Sequence, residues 1–214
     1  MNAYSDTYLE DVMDNLGSLL DGAVRLGIPA GEFTEMFLRS EVCAGIEAGH
    51  PRYLAGLSGP EMLYLILSKE RDDVPNLSSG FETSISSPEY WAFQALAYLQ
   101  WETGEPFRFL IRNGLDIDTL LSFYPTMHEA DLSAWEEVAL HRIEAFQREN
   151  APALKRLRRS AGLTQETLAR QSGVSLRMIR AYEQRTQDLS KAEYRTILRI
   201  AHALHCTPAD LLAA

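Results

Sequence analysis

Two cysteines in 214 residues, Cys43 and Cys206, are too few and too far apart for a disulfide framework. Neither has the basic neighbourhood that would mark a reactive thiolate. Paired CxxC motifs, an HExxH motif and a glycine-rich phosphate loop are all missing, which argues against a zinc ribbon, a zinc hydrolase and a nucleotide-binding enzyme. No run of 18 apolar residues occurs, so a membrane span is not expected. The opening residues MNAYSDTYLED are acidic and lack a basic-then-apolar leader, so a cytoplasmic protein is expected. No strand-length stretch of alternating polarity and no internal repeat is found, so the expected fold class is all-α.

Positive charge is also scarce: 20 Lys/Arg stand against 30 Asp/Glu, for a net charge of −10. The average hides a division. Residues 151–214 hold 11 Lys/Arg against 5 Asp/Glu, a local charge of +6, which leaves −16 on residues 1–150. Such asymmetry points to one part that meets nucleic acid and another part with a different task.

In the acidic part, Asp6/Thr7 can cap a helix to about Leu26, with Leu9, Val12, Met13, Leu16, Leu19, Leu20 and Val24 as its stripe. Helices are expected near Glu32–Arg39 and Glu41–Ala48, followed by a short turn at Arg52–Gly56. Ser58 with Glu61 then forms a capping box before another helix. Residues 69–87 read as an exposed loop. Ser87 caps an aromatic-rich helix over Pro88–Thr103, whose rings are expected in the core. Shorter helices follow near Pro106–Arg112 and Asp118–Phe123, the latter stopped by Pro125. The cleanest amphipathic helix is Ser133–Asn150, with a Ser133/Glu136 capping box, and Pro152 marks the expected domain boundary.

The basic part opens with LKRLRRS, an amphipathic helix with Leu154 and Leu157 inward. Next comes LTQETLARQSGVSLRMIRAYEQ, two short helices joined at Gly173. Thr164 and Ser175 are their N-caps, and Met178, Ile179 and Tyr182 face inward in the second. Ser190 with Glu193 suggests a capping box for a helix over Lys191–Leu204. Thr207 and Pro208 open a last short one. Two short helices about a glycine turn are the layout of a motif that lays its second helix in the DNA major groove.

In order and spacing these residues resemble the Cro/cI-type (xenobiotic-response-element) helix-turn-helix family, from LKRLRR through LTQETLA and SGVSLRMIRAYEQ to ILRIAHAL and DLL. The resemblance implies a five-helix domain that reads double-stranded operator DNA through its third helix, commonly as a homodimer. It places Thr164, Gln165, Ser175, Leu176, Arg177, Arg180, Ala181 and Arg185 at the DNA, with Glu183 as a structural acid. The family often has glycine after that acid, where Gln184 and Arg185 stand here. On physical grounds Arg177 is the first candidate for bidentate guanine recognition and Arg180 the second. Lys155, Arg158, Arg159, Arg170 and Arg185 are expected beside phosphates.

The expected architecture is therefore an N-terminal helical bundle, residues 1–150, followed by a five-helix reader, residues 151–214. The bundle is expected to dimerise, bind a partner or sense a ligand. Its segments YLEDVMDNLGSLLDGAV and FYPTMHEADLSAW resemble parts of bacterial regulators to which no activity is attached. The layout is similar to antitoxins that bind a toxin and repress their own operon, which is the alternative to a plain transcriptional repressor. No enzyme activity, cofactor or metal is expected. Glu137 and His141, four apart with His128, Glu129 and Asp131 upstream, read as helix surface, as do His202 and His205.

Overall fold

Apolar residues at three- and four-residue spacing give each helix one buried stripe, and stripes of this kind close into helical layers. A computed structural model describes residues 2–71, 74 and 84–212, and all regular structure among the described residues is helical, with no strand. The expected loop at 69–87 falls partly outside the described residues, and helix already occupies its first two positions. Two compact units divide the chain, Met1–Glu144 and Ala145–Ala214, a division upstream of Pro152.

The first unit is built on α1, Leu9–Arg25, entered through a 3-10 turn at Asp6–Tyr8. Then come α2 (Ala30–Arg39), α3 (Glu41–Glu47), α4 (Pro51–Leu54, where a turn was expected) and α5 (Gly59–Glu70). The Ser58/Glu61 capping box of α5 is formed, with the Ser58 amide donating to Glu61 Oε2 at 2.8 Å. Helix α6 is Pro88–Thr103, and Ser87 caps it by accepting from the Tyr90 amide. Next are α7 (Phe107–Arg112), α8 (Ile117–Met127) and α9 (Leu132–Glu149).

Helix α1 packs on α5 and, most extensively, on α6. Its Val12, Leu16, Leu19 and Leu20 are fully buried, each such side chain contributing about 1.5–3 kcal/mol. Phe33, Phe37, Phe93 and Phe107 interleave at the centre, with ring centroids 5.2–6.2 Å apart. Asp21, at 3% exposure, accepts from Arg25 Nε, the Ser84 amide and the Ser87 hydroxyl at 2.7–2.9 Å. A buried carboxylate satisfied in this way ties the start of α6 to α1. Trp135 of α9 is buried and donates its indole N–H to the Ala95 carbonyl of α6 at 2.9 Å. The aromatics of α6 do serve the core: Tyr90 and Phe93 are buried, and Trp91, Tyr98 and Trp101 are partly so.

Two expected helix ends are corrected. Helix α8 runs past Phe123 and through Pro125 to Met127. Proline removes only the bond to the carbonyl of Leu121, on the outward side of a terminal turn where water can replace it. Helix α9 begins at Leu132, so Ser133 sits within its first turn and does not cap it.

The second unit holds five helices after the end of α9: α10 (Ala153–Ser160), α11 (Gln165–Ser172), α12 (Leu176–Glu183), α13 (Tyr194–Ala203) and α14 (Pro208–Leu212). Leu154, Leu168, Val174, Ile179, Tyr182, Ile197, Ile200, Ala201, Leu204 and Leu211 form its separate core. The expected Ser190/Glu193 box is absent. Asp188 captures Ser190 instead, through its amide at 2.9 Å and its hydroxyl at 2.7 Å, and makes a 3-10 turn at Leu189–Lys191. Helix α13 therefore starts only at Tyr194.

Candidate nucleic-acid interface

The turn between α11 and α12 follows from three residues. Gly173 adopts φ +65°, the left-handed conformation that ends α11 and that glycine adopts without a Cβ penalty. Ser172 donates to the Leu168 carbonyl at 2.7 Å and accepts from the Val174 amide at 3.3 Å. Val174 drops into the core, and Ser175 caps α12 by accepting from the Met178 amide at 3.3 Å. Thr164 caps α11 in the same manner, accepting from the Thr167 amide at 3.1 Å.

One buried carboxylate joins the first three helices of the unit. Glu183, near the end of α12, accepts from Arg158 Nε at 2.6 Å and Nη2 at 2.9 Å, and from the Gln165 amide at 2.8 Å. The side chains of Arg158 and Glu183 are 11% and 2% exposed, and Arg158 also donates to the Leu163 carbonyl at 2.7 Å. Burial alone would push the Glu183 carboxyl up. The hydrogen bonds from Arg158 and Gln165, with the charges of Arg158 and Lys155, outweigh burial and hold it below the ordinary glutamate range. The hydrogen bond to Glu183 likewise raises Arg158 against its own desolvation. Arg158, expected beside a phosphate, is thus a structural cation. Its fork matches a carboxylate bidentately and leaves little surface for an outside anion.

The opposite side of α12 carries the residues expected at the DNA. Ile179, Tyr182 and Glu183 point inward. Ser175, Leu176, Arg177, Arg180 and Ala181 line a shallow groove of about 760 Å³ together with Met178, Gln184, Thr186 and Gln187. Arg177 is exposed and has no polar partner among the described residues. Arg180 donates from Nη2 to Glu166 Oε1 of α11 at 3.2 Å. Hydrogen bonds from its own backbone amide, Thr164 and Arg180 hold the Glu166 carboxyl below the usual glutamate range.

Gln184, Thr186 and Gln187 lie outside the set expected from sequence. Gln184 reaches the groove by helical spacing from Arg177, Arg180 and Ala181. Thr186 and Gln187 reach it because Arg185 takes φ +56°, after which their amides both turn back onto the Ala181 carbonyl, at 3.0 and 3.2 Å. Arg185 itself is exposed and donates to the Asn150 carbonyl at 3.1 Å. A left-handed arginine where glycine is usual has no signature in hydrophobic periodicity, so sequence alone could not give this path.

Among the described residues, no three or more His, Cys, Asp or Glu side chains gather as a metal site requires. Glu137 and His141 are exposed on α9, and His128 stacks on Tyr124 with ring centroids 4.5 Å apart. Cys206 lies in the turn after α13, and Cys43 is buried in α3. Among the described residues no helix is long and apolar enough to cross a membrane.

Helices α10 to α14 with the glycine turn between α11 and α12 together define a five-helix module built on a helix-turn-helix. Residues 154–211 match the family model described as Helix-turn-helix, and this segment is a helix-turn-helix domain of the Cro/cI type, a family of DNA-binding regulators. The match covers none of the first unit. No curated protein and no solved structure matches the chain.

Proposed function

We propose that the protein is a sequence-specific transcriptional repressor that reads a two-fold operator with α12, residues 151–214 being the reader and residues 1–150 the part that dimerises, senses or binds a partner. The observation that carries this reading is the division of α12 into two faces. One face is locked into the core through Ile179, Tyr182 and Glu183. The other presents Leu176, Arg177, Arg180 and Ala181 along an open groove. A helix fixed from behind can hold cationic and apolar side chains in one register against base edges in the major groove. Ser175 lines the same groove. In this reading Thr164, Gln165 and Arg185 set the register on phosphates, Gln165 and Arg185 with the N–H groups left over from Glu183 and the Asn150 carbonyl. The acidity of residues 1–150 supports a second version, an antitoxin that holds its toxin there and represses its own operon. Co-purification with a cognate toxin would favour it.

The test is binding of the full-length protein to duplexes recovered from a randomised pool, followed over a salt series. Affinity is expected to fall steeply between 50 and 200 mM salt, roughly tenfold or more for each few phosphates neutralised. Retention of no duplex at low salt would end the DNA-reading proposal.

A further inference from the structure

Two arginines line the groove on α12, and they are not equivalent. Arg177 has no polar partner among the described residues, whereas Arg180 is held by Glu166 of α11 at 3.2 Å. The pair bridges the two helices of the motif across 14 positions of sequence, and both side chains are well exposed, Arg180 at 51% and Glu166 at 61%. An exposed ion pair of this kind adds little stability. A carboxylate beside a DNA-facing groove also opposes binding, because it repels phosphates. As an acid in the first turn of α11, Glu166 supports that helix end by itself, so what its pairing with Arg180 adds lies in where it holds the guanidinium.

An arginine side chain has many rotamers, and an exposed one spreads its guanidinium over neighbouring phosphates without regard to sequence. Fixing one N–H of Nη2 on a carboxylate restricts the plane of the guanidinium. The remaining N–H groups of Nη1 and Nη2 stay available to the paired acceptors on the major-groove edge of a guanine. Glu166 stands in the first turn of α11, next to the Thr164 cap, so the anchor lies on capped helical backbone.

Resting on the DNA-reading proposal above, we propose that Glu166 is a positioning residue that holds Arg180 for one guanine per half-site and withholds it from the phosphate backbone. Arg180 is then a specificity-determining residue beside Arg177, and Glu166 trades affinity for discrimination.

The full-length protein, Glu166→Gln, Arg180→Ala and the double variant are compared on the duplex selected by the wild type from a randomised pool and on a scrambled duplex. With Glu166→Gln, binding to the scrambled duplex is expected to strengthen while preference for the selected one falls about tenfold. The motif recovered by that variant loses its preference at one base pair per half-site, the same pair lost with Arg180→Ala. Adding Glu166→Gln to Arg180→Ala costs no further discrimination. Equal strengthening on both duplexes would reduce Glu166 to a repulsive charge and overturn the proposal. Equal weakening on both, with a lowered melting temperature, would make the pair structural and overturn it too. A wild type that selects no motif would fail at the underlying reading, an outcome distinct from either.

Discussion

Arg158 and Glu183 show how far a single side chain can depart from what its neighbours in sequence suggest. In LKRLRRS, Arg158 is one of four cations on a short basic helix, and only its place four residues after the inward Leu154 sets it apart from Arg159. Its partner lies 25 residues away, and only the packed domain brings them to 2.6 Å. Removing one member leaves the other buried and uncompensated, so Arg158→Ala should destabilise the second unit by about 3 kcal/mol or more. Urea denaturation of the full chain, followed by hydrogen exchange in α10 to α12, would measure this. The depressed carboxyl of Glu183 makes the effect pH-dependent. A group whose folded value lies below its unfolded value stabilises fully above the unfolded value, about 4.3 for glutamate, and loses that contribution as pH falls through the folded one. The stability gap between wild type and Glu183→Gln should therefore be constant above about pH 5 and shrink at lower pH.

Gly173 is the opposite case, a residue whose role was legible in sequence. A glycine between two capped helices calls for a left-handed backbone, and φ is +65°. A Cβ there would meet only Arg199 Nη1 at 3.7 Å, an ordinary contact. Gly173→Ala should then cost about 1 kcal/mol through the backbone alone, seen as a lower melting temperature with little change in DNA sequence preference.

At the scale of the element, legibility follows distance along the chain. The caps at Ser58, Ser87, Thr164 and Ser175 join a residue to one three positions on, and all four form. The expected Ser190/Glu193 box has the same spacing and fails, because Asp188 is two residues away and captures Ser190 first. Pro125 fails as a stop signal because the terminal turn of α8 can lose one hydrogen bond and continue. Ile179 and Tyr182 on the inner face of α12 were readable as a helical stripe, whereas Met178, expected inward with them, is half-buried and also lines the groove. The groove on the outer face was not readable, since Thr186 and Gln187 join it only through the left-handed turn at Arg185. On that face Arg177 has no competing partner among the described residues, so Arg177→Ala should reduce preference for the selected operator about tenfold or more and change scrambled-duplex binding far less. Fluorescence anisotropy on the two duplexes would show it, and equal loss on both would reassign Arg177 to phosphate contact.

For the whole molecule, the net charge of −10 conceals two parts of opposite sign. The acidic residues 1–150 are repelled by DNA, and the basic residues 151–214 are attracted. Their chemistry beyond this was not legible, because a helical bundle with a buried aromatic core carries the same periodicity whether it binds a partner, a ligand or itself. A two-fold operator requires two readers, so the full-length protein should occupy selected DNA as a dimer. Sedimentation or light scattering of the complex would check this, and a single copy on a single half-site would count against it.

Glu183 has one more consequence, which concerns how such a protein can change over generations. The residues that hold α12 in place, Ile179, Tyr182 and Glu183, are different from those that line its groove, Leu176, Arg177, Arg180 and Ala181. Substitutions at the second set leave the anchorage intact. On the proposed reading, operator preference can therefore drift in small steps while the domain keeps its fold, and a duplicated copy can acquire a new target without passing through an unfolded ancestor.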